Sequence, residues 1–139
     1  MADAVEKTYT GWSIDVGEYK YEGITLNEVE QNLYAIEDQE QDFVVISPSN
    51  AISIDTKKYN FIQVCSDQDT DLLHIELSAT NDGEQGAIIY GKNELGHQEI
   101  FQIIEEFIAH HKAPSLDDWE VVLDLRLKME SYVKGTNDD

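Results

Sequence analysis

Apolar residues recur along this chain with two different periods, and the order of those periods constrains the fold more than any other feature. Period two places successive side chains on opposite faces of a strand, whereas helical spacing gathers them on one stripe. Thr25 and Glu28 supply a T-x-x-E capping box, with Ile24 and Val29 at the flanking staple positions. Leu26, Val29, Leu33 and Ile36 continue at helical spacing, which predicts a helix over residues 26–37. Ile100, Phe101, Ile104, Phe107 and Ile108 predict a second helix over 98–111, ended before Pro114.

The rest reads as strands. Trp12, Ile14 and Val16 alternate with Ser13 and Asp15, and turns follow near Gly17 and Gly23. Phe43–Ser47 is rich in β-branched residues and stops at Pro48. Ala51–Asp55, Asn60–Cys65, Leu72–Ser78 and Ala87–Tyr90 are further short strands, and Trp119–Leu127 alternates as a closing one. The stretch Lys128–Val133 fits either a strand's tail or a helix. The order β-α-β-β-β-β-β-α-β predicts an α+β fold, a mostly antiparallel sheet of about six or seven strands with two helices packed on it. For the hairpin formed by Asn60–Cys65 and Leu72–Ser78, pairing 62 with 75 and 64 with 73 keeps every large aliphatic side chain on one face. Its other face then carries Phe61, Gln63, Cys65, Leu72, His74 and Glu76. That mixed face calls for either a covering helix or a docking partner.

With 139 residues, 41% of them hydrophobic, the chain has the size and apolar content of a single domain, expected over 9–133 with tails at 1–8 and 134–139. No apolar run approaches the roughly 20 residues that span a bilayer. Residues 1–6 carry neither the basic nor the apolar region of a signal peptide. Cys65 has no second cysteine to pair with, which points to a reducing cytoplasm.

Charge narrows the partners. Twenty-nine acidic against nine basic residues leave a net charge of −20, and Arg126 is the lone arginine. Such a surface repels phosphate backbones and anionic lipid, which disfavours nucleic acid and membranes as partners. What remains is a solvated acidic surface, or a basic protein partner whose approach the field accelerates. Glu28, Glu30, Glu37, Asp38, Glu40 and Asp42 form an acidic patch on the first helix and the loop after it, with no base among them. Tyr19 and Tyr21, with Tyr9, cluster around the first strand and its turn and are candidate interface anchors, or else pack on the sheet.

Candidate chemistry is sparse. Asp67, Asp69 and Asp71 open like a calcium loop, but Leu72 stands where the loop needs glycine and Ser78 where it needs glutamate. A solvated turn is the simpler reading. His74 and Glu76 share a strand face without the further ligands a zinc site requires, and His110 and His111 diverge on their helix, next to its negative end. Cys65 with His74 resembles a nucleophile and base, yet the nearby aspartates oppose the lowered pKa such a thiol needs. Trp12 and Trp119 suit core positions. Nucleotide-binding, nucleophile-elbow and metalloprotease motifs do not occur in the sequence. No cofactor is expected.

Asn60-Phe61-Ile62-Gln63 entering a strand, a second strand ending His74-Ile75-Glu76, a helix, and then Pro114-x₄-Trp119 give the chain a family look over roughly residues 43–120. It resembles small bacterial immunity proteins of polymorphic-toxin systems, particularly those paired with deaminase and nuclease toxins. The resemblance implies a non-enzymatic intracellular inhibitor whose acidic side chains occupy a toxin's basic active-site cleft. Two other readings stay open: an assembly module self-associating through the mixed face around Phe61 and Leu72, and an enzymatic or metal-binding domain around His74, Glu76 and Cys65.

Overall fold

The computed structural model describes residues 7–67 and 72–126. Its elements are β1 (Tyr9–Val16), β2 (Tyr19–Ile24), α1 (Leu26–Glu37), β3 (Phe43–Pro48), β4 (Ile52–Ile54), β5 (Lys57–Ser66), β6 (Leu73–Asn81), β7 (Ile88–Leu95), α2 (His97–His110) and β8 (Glu120–Asp124). The eight strands form one antiparallel sheet in the order β2-β1-β3-β5-β6-β7-β8, with β4 pairing β5 to one side. The fold is therefore α+β, a mostly antiparallel sheet carrying two helices. Asp69, Asp71, residues 1–6 and Lys128–Val133, like the tail at 134–139, lie outside the described residues.

One row of side chains shows how the core is assembled. Ile14, Ile46, Ile62 and Leu77 are aligned on successive strands and are at most 1% exposed. Both helices pack on this side. Helix α1 buries Val29, Leu33 and Ile36, and α2 buries Ile100, Ile104, Phe107 and Ile108. Phe107 meets Trp12 and Tyr59 edge-on, with ring centroids at 5.3 and 5.7 Å. Trp12 and Trp119 are both buried.

The neighbouring row runs Asp15, Val45, Gln63, Glu76, Gly91, Glu120 on the opposite face. Among the described residues no helix covers it. The mixed face expected from the sequence is thus the sheet's open side.

Three local expectations are corrected. The segment after Gly17, read as turns, is strand β2, which pairs with β1 and places Tyr21 opposite Ile14. Its exposed residues, Tyr19 through Glu22, have no buried face and so leave no alternation to read. The β5–β6 hairpin pairs Ile62 with Leu77 and Val64 with Ile75, two residues away from the expected register. A two-residue slip preserves the face, so side-chain pattern alone does not choose between them. The longer ladder, from Lys57 to Ser66, is the one adopted, with a bulge between Tyr59 and Phe61. Finally, β8 ends at Asp124, and Leu125 and Arg126 are helical. Arg126 is tied there by Asp124 and by Glu84 of the β6–β7 connection, at 3.0 and 2.7 Å.

Candidate functional site

The acidic residues singled out in the sequence divide into a committed and an unpaired set. Thr25 caps α1 by accepting from the Glu28 amide, and Glu28 returns the favour to the Thr25 amide at 2.9 Å. Glu28 is therefore spent on starting the helix. Glu30 and Glu37 flank His97, the first residue of α2. Its Nε2 lies 3.3 Å from Glu30 and its Nδ1 2.5 Å from Glu37. Both nitrogens face carboxylate oxygens. The imidazole also stacks on Tyr34, centroids 4.2 Å apart. These contacts clasp the two helices together.

The sequence shows no base in the patch because His97 comes from 60 and 67 residues further along the chain. No local signal announces that pairing.

The remaining acids surround the C-terminal end of α1. Asp38 is the C-cap, the last turn holds no basic residue, and Glu40 and Asp42 follow in the exposed loop. A helix C-terminus carries partial negative charge from its unpaired carbonyls and favours cations. Here carboxylates gather at it instead. Three of the described cations are engaged elsewhere: Lys92 with Asp118 at 2.8 Å, Lys57 with Asn81, and Arg126 with Glu84 and Asp124. The arrangement opposes helix stability. Beside it, Gln39, Gln41 and Asp42 face Cys65, Ser66 and Asp67 across a polar cleft of about 490 Å³.

Tyr19 and Tyr21 lie on the edge strand β2, 66% and 48% exposed. Opposite Val16 and Ile14, they share the helix-bearing side of the sheet with α1. The structure thus places the tyrosines and the acids on the same side of the molecule.

On the open face, Cys65 sits directly across from His74, where the expected register had them diagonal. His74 is held on both sides, by Asn93 through Nδ1 and by Glu76 through Nε2 at 3.0 Å. Burial, together with Glu76 and Asp67, pushes the Cys65 thiol above its ordinary pKa. A nucleophilic thiol needs the opposite shift and a base with a free nitrogen. Among the described residues no group of three or more His, Cys, Asp or Glu side chains is arranged to hold a metal ion. Nor is any described helix long and apolar enough to cross a membrane.

Comparisons of the chain with protein-family models, with curated proteins and with solved structures return no match.

Proposed function

We propose that this protein is a non-enzymatic acidic binding protein that inhibits a basic enzyme, in the manner of the immunity proteins it resembles. The observation that carries the reading is the C-terminal end of α1, where Asp38 caps the helix, Glu40 and Asp42 follow it, and the last turn holds no basic residue. Carboxylates at the negative end of a helix cost folding stability, and a basic partner offsets that cost on binding. Tyr19 and Tyr21 supply apolar contact area on the same side, as interface anchors do.

Pull-down from lysate of the source cell tests this, with the wild-type protein and a variant carrying Asp38→Lys, Glu40→Lys and Asp42→Lys. The expected result is a basic enzyme captured by the wild type at low salt, released at high salt, not captured by the variant, and inhibited by the wild type in solution. Equal capture by both proteins, or an enzyme left fully active, refutes the proposal.

A second reading has one observation behind it. The uncovered sheet face carries Phe43 and Leu123, 38% and 44% exposed. Self-association through that face would bury them. Sedimentation velocity decides it, since a monomer at high concentration removes this reading.

A further inference from the structure

The two ends of the sheet are finished differently. At one end β2 places Lys20 and Glu22 among its exposed residues, and charged side chains of this kind keep a free edge from pairing with another chain. At the other end β8 carries three consecutive apolar side chains, Val121, Val122 and Leu123, 56%, 50% and 44% exposed.

A half-buried strand turns alternate residues toward one covered face. Strand β8 departs from that pattern for a local reason. Leu123 pairs with Ile89 and Val121 with Tyr90, so Val122 is the extra residue of a bulge. Its side chain lies over Gly91, where a Cβ would stand 2.6 Å from Cγ2 of Val122. Both ends of the strand are pinned. Trp119, just before it, is buried, and the Leu125 amide just after it donates to the Ala87 carbonyl at 3.0 Å. The edge is therefore preformed, and among the described residues only β7 pairs with it.

Such an edge offers main-chain pairing to an extended segment, and its side chains say what that segment carries. The apolar middle takes apolar neighbours. Asp117, Asp118 and Glu120 stand where the strand begins, against Lys92, and Asp124 and Glu84 where it ends, against Arg126. Acids outnumber bases at both ends, which favours cations at both ends of the incoming segment. A second copy of this chain does not meet that requirement. Paired antiparallel with itself about Val122, β8 sets Glu120 opposite Asp124, and the copy brings a further charge of −20.

We propose that the free edge of β8 is a docking site for an extended segment of a partner protein, apolar in the middle and basic at both ends, which joins the sheet as a further strand. The site lies at the other end of the sheet from β2 and its tyrosines, and it does not depend on the inhibitor reading.

The test is titration of the full chain with the peptide acetyl-Lys-Val-Ile-Val-Lys-amide, followed by amide chemical shifts. Two further peptides are compared with it. Acetyl-Glu-Val-Ile-Val-Glu-amide reverses the charge, and acetyl-Lys-Val-Pro-Val-Lys-amide keeps the charge but lacks the central donor. The expected result is saturable shifts across Glu120–Asp124 with the first peptide, and affinity lower by roughly tenfold or more for the other two. Val122→Lys, at an exposed position and with an otherwise unchanged spectrum, weakens binding of the first peptide by roughly fivefold or more. Equal binding of the proline peptide would mean mere attraction to an acidic surface, and overturns the proposal. Equal binding of the glutamate peptide, or no saturable shift with any of the three, overturns it as well. Slow exchange of every amide from Val121 to Asp124 in the free protein would show the edge already covered. Sedimentation then assigns the cover to a second copy, if a dimer, or to this chain's own residues, if a monomer, and either result overturns the proposal.

Discussion

Asp38→Lys is expected to make the protein more stable while disabling it. Asp38 caps the C-terminal end of α1, where the helix dipole favours a cation, and two further acids, Glu40 and Asp42, lie within a few residues. A charge at a helix terminus contributes about 0.3–1 kcal/mol, with the sign set by the charge. Reversing it at Asp38 removes an unfavourable interaction and adds a favourable one, together about 1 kcal/mol or somewhat more. The cap's backbone angles, φ −84° and ψ 3°, suit lysine as well as aspartate, so no strain enters. For a domain of this size that gain raises the thermal midpoint by roughly 3–5 °C. Differential scanning calorimetry at low salt and in 1 M NaCl is the assay. The gain shrinks at 1 M salt because the Debye length falls to about 3 Å. Asp38→Asn, which removes charge without reversing it, falls between. A midpoint unchanged or lowered at low salt shows that the helix end is not electrostatically frustrated, and the functional argument built on it then fails.

Three other outcomes are expected. His97→Ala removes the hydrogen bonds to Glu30 and Glu37 that clasp the helices, and urea denaturation is expected to show a loss of about 1–3 kcal/mol; a loss much smaller would mean the clasp is ornamental. Tyr59 and Cys65 both have folded pKa values raised, chiefly by burial, so above pH about 9 the unfolded chain releases protons that the folded chain retains. Stability therefore falls as pH rises through that range, and Tyr59→Phe, read by alkaline unfolding, should flatten the decline. Phe107→Ala should cost about 3–5 kcal/mol, because the ring lies edge-on to both Trp12 and Tyr59, and it should also change Trp12 fluorescence. A cost under about 1 kcal/mol would place Phe107 outside the cooperative core.

Much of this architecture was legible because its signals are local. The Thr25–Glu28 box and the stripe behind it mark α1 at both ends, and the apolar spacing of α2 does nearly as well. Where burial is one-sided and strands are central, alternation identifies them. Strand β2 escaped because an exposed edge strand has no obligation to alternate. The hairpin register was ambiguous for a sharper reason: period two identifies the face, and slips by two residues leave it intact. Long-range polar pairs are invisible for want of any sequence period. His97 and its glutamates are the case in point.

Strand order also bears on how this molecule comes to be folded. From β5 to β8 each main-sheet strand pairs with the next in the chain, and β1 with β2 closes through a tight turn. Two closures are long: that of β1 on β3, which brings Ser13 to Ser47 with α1 within the loop, and that of β7 on β8, which brings Ile89 to Leu123 with α2 within it. Chain entropy makes short closures early and long ones late. The meander of β5, β6 and β7 is thus expected to organise first, with β1 and β2 docking afterwards. Substitutions such as Ile75→Val should then slow refolding, while Ile14→Val should chiefly hasten unfolding. Stopped-flow traces showing the reverse would move the nucleus to the other end of the sheet.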